Sequence, residues 1–211
     1  MKTPLITRRQ QLSLALSQLE GFTDPDPALE QVVSPPEAAS ALLWEAFHRG
    51  DLTGKHIVDL GCGPGRLAIG AALLGARTVS GLDQDGAALA VARRNAASAG
   101  VRVTWHHANV MDLPPLRAET VLMNPPFGVQ HRGAEVPFLV GALGILLPGG
   151  ACYFFAGPGS QTLIEEHALR RGVKVEDRLR STWPFPPTFR HHTQRMGTVL
   201  VDRWILRKEQ Q

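Results

Sequence analysis

The amino-acid sequence predicts an α/β domain with a doubly wound, mainly parallel β-sheet and an antiparallel strand near the carboxyl terminus. Short apolar segments alternate with helix-like segments from Ile57 to Phe155, which is typical of parallel strands joined by crossover helices. Glycine-rich or polar residues follow several of these strands, at the edge where sheets of this class bind ligands. With 211 residues, 44% of them hydrophobic, the chain can bury a sizeable core.

The composition argues against several classes of protein. A formal charge of +3 and a pI near 9.2 suit a nucleic-acid partner, but also many proteins that bind none. Cys62 and Cys152 are too few for a disulfide framework and lack zinc-ligand spacing, so we expect no metal site and a reducing, cytoplasmic setting. No segment is typical of a signal peptide or a membrane span, so we expect no membrane association.

The first 50 residues predict two helices joined by a loop. Leucines spaced by three or four positions predict an amphipathic helix over residues 8–19. The sequence Ser34-Pro35-Pro36-Glu37 has the pattern of a capping box and predicts a helix over residues 38–48. Gln31 and Ser34 could contact a ligand or serve only in local capping, and the residues alone leave both readings open.

A glycine-rich loop follows the first strand. Residues 56–60 predict a strand, and Gly61-Cys62-Gly63-Pro64-Gly65 predicts a tight turn into a helix, with backbone N–H groups open to a ligand. The loop lacks the Gly-Lys-Ser/Thr ending of a nucleoside triphosphate site and the spacing of a dinucleotide site. Asp59 stands two residues before the loop, and we include it with Gly61 and Gly63 in the predicted binding site.

Asp83 ends the second strand, which we predict over residues 78–82. A carboxylate at this position can accept hydrogen bonds from the two hydroxyls of a ribose. Asp85 is the alternative acceptor, and Asp83 could instead cap the helix that we predict over residues 86–97.

Polar residues also follow the third strand, predicted over residues 101–105. Asn109 or Asp112 could bind the amine of an adenine. His106 and His107 are adjacent, and adjacent residues of an extended chain point to opposite faces of a sheet. We therefore expect no metal site at these histidines.

The most informative motif is Asn124-Pro125-Pro126-Phe127, which ends a strand containing Val121 to Met123. Consecutive prolines continue neither a ladder nor a helix, so they form a rigid corner. There the Asn124 side-chain oxygen and the Pro125 carbonyl can converge on an exocyclic amine, while Phe127 offers a ring face to a flat heterocycle. The alternative is a proline-rich turn with Phe127 simply packed in the core.

The remaining segments continue the alternation and add a basic region. We predict a substrate-covering loop over residues 128–133, a helix over 134–147, a strand over 151–155, a helix over 160–171, a strand from Val173 and a strand over 198–206. Residues 182–192 interleave aromatic and basic side chains, near Arg178, Arg180 and Arg195. Such a surface suits stacking and phosphate contacts with RNA, although a solvated hairpin is the alternative.

Together the motifs resemble those of the class I S-adenosylmethionine-dependent methyltransferases, through residues 59–65, Asp83 and residues 124–127. The resemblance extends over nearly the whole chain to the methyltransferase-like protein 5 family, adenine-N6 methyltransferases of small-subunit ribosomal RNA. The segments that carry it are Leu29-Glu30-Gln31, Asp59 to Gly65, Ala68-Ile69-Gly70, Leu74-Gly75-Ala76, Gly81 to Asp85, Arg94-Asn95-Ala96, Met123 to Gly128 and Phe189-Arg190-His191-His192.

This resemblance implies a Rossmann-like fold, S-adenosyl-L-methionine as cofactor, ribosomal RNA as substrate and a small zinc-binding activator subunit as partner. We expect a single methyltransferase domain over residues 1–211, with a helical cap and a cofactor-covering loop in 1–50 and the catalytic core in 51–211. The residues implied to receive the adenine are Asn124, Pro125, Pro126 and Phe127. The residues implied to line the cofactor are Gln31, Ser34, Gly61, Pro64, Arg66, Asp83, Asn109 and Val110.

Three positions depart from the family pattern: Val32 replaces an aromatic residue, Pro64 a cysteine and Asn109 an aspartate. Asn109 still offers an acceptor, whereas the lost aromatic could weaken how the loop covers the cofactor. Rival functions also stay open. The tetrad would suit guanine N2 in ribosomal RNA, and a close variant of it that ends in tyrosine suits glutamine side chains of proteins. A non-catalytic RNA-binding protein of the same fold would keep the basic region.

Overall fold

The computed structural model describes residues 6–128, 131–185 and 197–210. These residues form a seven-stranded sheet with helices on both faces. The strands are β1 (His56–Leu60), β2 (Thr78–Asp83), β3 (Thr104–His107), β4 (Ala118–Met123), β5 (Leu146–Ala156), β6 (Val173–Phe185) and β7 (Gly197–Lys208). The helices are α1 (Arg9–Ser17), α2 (Pro36–His48), α3 (Arg66–Leu73), α4 (Gly86–Ala99), α5 (Val136–Ile145) and α6 (Gln161–Leu169), with a short 3₁₀ turn at Pro27–Leu29.

The strand order is β3-β2-β1-β4-β5-β7-β6. The pairs among β1 to β5 are parallel, whereas β7 pairs antiparallel with both β5 and β6. The predicted fold class, including its antiparallel carboxyl-terminal part, is therefore confirmed. The order reverses between β1 and β4, whose last residues Leu60 and Met123 lie side by side. Open α/β sheets bind ligands in the crevice outside such a reversal.

Each face of the sheet is covered by its own apolar core. On one face, α1, α2 and α3 bury side chains that include Leu12, Leu16 and Leu42, as the leucine spacing of α1 predicts. On the other face, α5 and α6 bury Leu139 and Ile164. In the three described ranges, no helix has the length and apolar character that a membrane span requires. The division of the domain at residue 50 stays a prediction.

The predicted start of α2 needs a correction. The helix begins at Pro36, and its N-cap is Pro35, which makes no side-chain capping bond. The capping box predicted at Ser34 is therefore wrong, since Ser34 lies one position too early to cap the helix. Ser34 is instead buried, with 3% of its surface exposed, and its carbonyl accepts a hydrogen bond from Arg66.

Strand β3 and strand β5 also differ from their predicted bounds. β3 begins at Thr104, because the N–H of Val101 bonds to the carbonyl of Ala96 and closes the end of α4. The two histidines expected after β3 therefore lie within it. β5 begins at Leu146, so α5 ends before the predicted position. The pairing of β4 with β5 shifts register between Ala118 and Thr120. The segment Pro148-Gly149-Gly150 of β5 lies at this shift, and proline and glycine inside a strand are typical of such irregularities.

The basic and aromatic stretch predicted for RNA contact lies only partly in the described ranges, and residues 186–192 fall outside them, as does Arg195. Trp183 is 5% exposed, and its ring meets the Phe155 ring edge-on at 4.6 Å between centroids. Trp183 therefore offers no exposed face for stacking, and this part of the prediction is wrong. Its position in β6 points it to the core face of the sheet.

The arginines of this region are paired with one acid. Arg178 and Arg180 contact the carboxylate of Asp202 at 2.6 and 2.7 Å. The hydrogen bond from Arg180, together with Arg178, lowers the pKa of this buried carboxyl. Arg178 also lies over the ring of Trp204, 4.9 Å from its centroid. These contacts hold β6 against β7, so a role in phosphate binding stays a prediction.

An ion-pair network lies at the amino-terminal ends of the parallel strands. Asp51, which is 8% exposed, accepts from both Nη atoms of Arg207 at 2.8 and 2.7 Å and from the Tyr153 hydroxyl at 2.5 Å. Arg207 also donates through Nε to Glu176 at 3.0 Å, and the two acids raise the pKa of its guanidinium. Thr120 of β4 donates to the Asp51 carbonyl at 2.6 Å, which fixes the network to the sheet.

Candidate active site

The loop after β1 exposes its main chain through glycines with positive φ. Gly61, Gly63 and Gly65 have φ values of 65°, 50° and 90°, which residues with a side chain rarely adopt. A Cβ at Gly61 would lie 2.7 Å from the ring of Phe138, and one at Gly63 would lie 2.8 Å from the ring of Phe22. The predicted glycine loop therefore has a packing requirement as well as a conformational one.

Asp59 lies behind this loop and does not line the cleft beside it. Its Oδ2 accepts from the Ala68 N–H of α3 at 2.9 Å, and its Oδ1 has no partner among the described residues. Burial raises the pKa of Asp59 to about 8, with the Ala68 bond opposing the shift and the nearby Asp83 adding to it. Asp59 thus joins β1 to α3 and orients the turn between them.

Asp83 lies at the carboxyl end of β2, where the sequence predicts it. Its Oδ2 accepts from the Gly63 N–H at 2.7 Å, and its Oδ1 accepts from the Asp85 N–H at 2.9 Å. Burial raises the pKa of the Asp83 carboxyl, while these backbone donors favour its charged form. Each carboxylate oxygen can accept more than one bond, so Asp83 retains capacity for a ligand.

The segment before α2 covers the glycine loop and is held there by buried polar groups. Gln31 accepts from the Asp26 N–H and donates to the Asp85 carboxylate, both at 2.7 Å. Arg66, at the start of α3, donates to the Ser34 carbonyl at 2.6 Å. Burial lowers the pKa of Arg66, and its guanidinium also donates to the Leu19 carbonyl at 3.4 Å. Ser34 and Arg66 therefore brace the segment without lining the cleft.

Asn95 makes a second link that sequence reasoning missed. Its Nδ2 donates to the carbonyls of Pro64 and Glu20 at 2.9 and 3.0 Å, and its Oδ1 accepts from the Glu20 N–H at 2.9 Å. One amide therefore ties the glycine loop to the covering segment. A signal existed, because Asn95 follows the buried Ala88 and Ala92 at helical spacing, which places a polar side chain on an apolar stripe.

The corner after β4 leaves one acceptor free. The Nδ2 of Asn124 donates to the Val32 carbonyl at 2.9 Å, and because a carbonyl can only accept, the amide oxygen must point away from it. That Oδ1 is buried and has no partner among the described residues. Leaving a buried acceptor unpaired costs about 1 to 3 kcal/mol, so the atom marks a place where a ligand donor would be favourable.

Phe127 closes the corner on the side of the last strands. Its N–H donates to the Glu30 carboxylate at 2.8 Å. Phe127 is partly buried and packs against the core. Its ring lies 6.1 Å from the Trp183 ring, at an interplanar angle of 52°. The tilt leaves the ring outside close stacking with Trp183.

These groups meet in a cleft of about 210 Å³ at the carboxyl ends of the parallel strands. The predicted residues that line it are Gln31, Gly61, Gly63, Pro64, Asp83, Asn109, Val110, Asn124 and Pro126. The predicted residues outside its lining are Ser34, Asp59, Arg66, Pro125 and Phe127. The Asn109 amide is held locally, donating to Gln84 and accepting from Met111. Within the described ranges, no three His, Cys, Asp or Glu side chains are arranged to hold a metal ion.

Two aromatic residues of the lining, Phe22 and Phe138, have no role in the sequence prediction. Both are distant in sequence from the glycines that they contact. Phe22 lies in a loop and Phe138 in the apolar helix α5, where an aromatic residue is ordinary. Their contribution is visible only once the fold brings the two elements to the loop.

Comparisons with known proteins agree with this geometry. The methyltransferase small domain family matches residues 34–171. The rRNA N(6)-adenosine-methyltransferase Mettl5 of Drosophila melanogaster is 32% identical, over 90% of this chain and 91% of its own. Its counterpart metl-5 of Caenorhabditis elegans is 31% identical, over 89% and 92%.

Solved structures give the same relationship. The crystal structure of PH1948 from Pyrococcus horikoshii, a candidate RNA methyltransferase, matches with a TM-score of 0.88 and 35% identity. The match covers 97% of this chain and 99% of that one. The chain therefore belongs to the methyltransferase small domain family and, within it, to the class I methyltransferases of the methyltransferase-like protein 5 type.

Proposed function

We propose that this protein is an S-adenosylmethionine-dependent methyltransferase whose acceptor is adenine N6 in small-subunit ribosomal RNA. The observation that carries the proposal is the Oδ1 of Asn124, which is buried, has no partner among the described residues and belongs to the same cleft as Gly61, Gly63 and Asp83. A bare acceptor at that point suits an amine N–H, because a carbonyl or phosphate oxygen would be repelled.

The residues of the cleft fit S-adenosylmethionine. Gly61 and Gly63 line the cleft, and the Asp83 carboxylate suits ribose hydroxyls. Leu82 and Val110 supply apolar surface for a flat base. When bound, the cofactor supplies an electrophilic methyl group. The glycine loop and Asp83 bind and orient it, while the covering segment excludes water from it.

The corner residues would hold the acceptor amine. An aryl amine is a weak nucleophile because its lone pair is delocalised into the ring, and two acceptors on its protons favour the pyramidal, reactive form. Asn124, which lines the cleft, would supply one acceptor and the Pro125 carbonyl the other. Phe127, a partly exposed residue beside the cleft, would supply a ring for the base. No strong general base is needed, since the amine becomes acidic as it gains positive charge and water can then take the proton.

The assignment to adenine in ribosomal RNA draws support from the Drosophila and Caenorhabditis relatives, which are named rRNA N(6)-adenosine-methyltransferases. We further propose that the RNA is that of the small ribosomal subunit, that a small zinc-binding activator subunit is the partner and that the location is cytoplasmic. These parts of the proposal rest on the family resemblance and the composition. Affinity purification of the tagged full chain from its own cells tests the activator directly. Recovery of this chain alone, with full activity, would contradict that part.

The decisive experiment is methyl transfer from radiolabelled S-adenosylmethionine to unmodified small-subunit RNA, with and without added activator. Nucleoside digestion of the product should give N6-methyladenosine at one mapped position. Labelled N2-methylguanosine, or labelled glutamine in a protein substrate, would establish a rival acceptor. Calorimetry that detects no cofactor binding, even with the activator present, would favour a non-catalytic RNA-binding protein.

A further inference from the structure

Glu30 stands out because it adopts a strained backbone conformation beside the cleft. With φ 49° and ψ 41° it lies in the left-handed region, and it is the single non-glycine residue with positive φ in the described ranges. Residues with a side chain rarely adopt this conformation, because it brings Cβ close to a backbone carbonyl oxygen. Such strain persists only where surrounding contacts hold it, and those contacts often belong to a functional site.

One contact that holds Glu30 reaches the corner after β4. Its Oε2 accepts the N–H of Phe127 at 2.8 Å, across 97 positions of sequence. Pro125 and Pro126 have no N–H, so the Phe127 amide is the first backbone donor after Asn124. The Glu30 carboxylate accepts from this donor and so fixes the corner after β4, where the two prolines cannot donate a backbone hydrogen bond.

The neighbours of Glu30 contact the other parts of the site. Gln31 bonds to Asp85, next to the predicted ribose carboxylate. The Val32 carbonyl accepts from Asn124 and so sets which way its amide oxygen points. Three consecutive residues thus touch both the cofactor side and the acceptor side of one cleft.

We propose that Glu30 is a positioning residue that orients the acceptor corner through the Phe127 N–H and, through the adjoining Val32 carbonyl, the Asn124 amide. This inference rests on the proposed function, because the corner matters for turnover only if it holds the reacting amine. Glu30 acts through these residues rather than on the acceptor itself. The covering segment is accordingly part of the acceptor site as well as a lid over the cofactor.

The test compares Glu30→Ala with Glu30→Gln. Alanine removes the acceptor, so we expect the Phe127 amide to exchange with deuterium about tenfold faster in NMR measurements and kcat to fall about tenfold. The cofactor dissociation constant should change by no more than a few fold. Glutamine keeps an oxygen that can accept the N–H, so it should recover most of both losses. If the alanine variant folds poorly, the smaller changes in amide exchange and kcat expected for Glu30→Gln can still be compared with the wild type.

Asp24→Ala is the matched control, because it removes an exposed carboxylate of the same segment, and it should leave both readouts unchanged. Normal exchange at Phe127 in Glu30→Ala, or faster exchange with normal kcat, would overturn the positioning role. If the wild-type protein methylates no adenine, the proposed function fails instead. In that case, faster deuterium exchange of the Phe127 amide in Glu30→Ala would still support the contact by which Glu30 holds the corner.

Discussion

The two edges of the sheet treat buried polar groups in opposite ways. At the amino-terminal edge, both oxygens of Asp51 are bound, by Arg207 and by the Tyr153 hydroxyl. At the carboxyl edge, Asn124 and Asp59 each keep one oxygen without a partner among the described residues. The sheet therefore has one edge where the buried carboxylate is fully paired and one edge where two buried oxygens lack a partner among the described residues.

This difference separates stability from function. A fully paired network holds β7 to the rest of the sheet, and its polar groups need no ligand to satisfy them. An unpaired buried acceptor costs about 1 to 3 kcal/mol, which the chain recovers only when a donor binds. Substitutions at the two edges should accordingly alter different measurements, and the following predictions test that separation.

The largest expected effect is on turnover, from Asn124→Ala. Without the amide, the acceptor amine loses a preorganised hydrogen bond, and we expect kcat to fall roughly 10² to 10³-fold. Cofactor affinity should stay within a few fold, because Asp83 and the glycine loop are intact. Single-turnover methylation and calorimetric titration measure the two quantities. A collapse of cofactor binding with normal turnover per bound cofactor would show that Asn124 belongs to the cofactor site.

The opposite edge should respond in stability, to Arg207→Ala. The substitution leaves Asp51 buried without its guanidinium partner, and breaking a buried pair in this way costs about 3 kcal/mol. Urea unfolding measures the loss, while kcat per folded molecule should stay unchanged. The control Arg170→Ala breaks an exposed pair with Glu166 and should cost less than about 1 kcal/mol. Equal losses in the two variants would remove the contrast between the edges.

Local patterns were enough to predict the sheet and the parts of the site that lie within single strand ends. Gly63 lies in the loop after β1, Asp83 is the last residue of β2 and Asn124 follows β4. The alternation of strands and helices therefore brings them to one edge. The spacing of apolar residues likewise predicts α1 and its buried leucines. Each of these features depends on one short segment of the chain, so the local sequence is enough to predict it.

The contacts between distant segments could not be predicted in the same way. Glu30 accepts from the N–H of Phe127 across 97 positions of sequence. No local sequence pattern indicates which acceptor that N–H will bind. Trp183 was misread because composition identifies an aromatic residue in a basic stretch but not the face of β6 on which it lies. Asn95 was missed because a polar residue on a helix usually faces solvent.

A smaller effect is expected on cofactor affinity, from Asp83→Ala. The loss of charge-assisted hydrogen bonds to ribose hydroxyls should raise the dissociation constant by about tenfold or more, equivalent to about 1.5 to 3 kcal/mol. Asp85→Ala provides the comparison, because Asp85 is the alternative acceptor and bonds to Gln31. Calorimetric titration of both variants measures the difference. A larger loss in Asp85→Ala would transfer the ribose role to Asp85.

The smallest effect concerns Asp59, whose open oxygen should appear as a pH dependence of stability. Burial raises its pKa to about 8 in the folded protein, against about 3.9 in an unfolded chain, so folding favours the protonated carboxyl. The stability that this group contributes is full below pH 4 and is lost as pH rises towards 8. The asparagine of Asp59→Asn cannot ionise, so the variant should not lose stability in this way. From pH 6 to pH 7 the free energy of unfolding of the wild type should therefore fall relative to that of the variant, by at most about 1.4 kcal/mol. Urea unfolding of both proteins at the two pH values measures this relative fall, and parallel behaviour would mean that Asp59 is already ionised in the folded state.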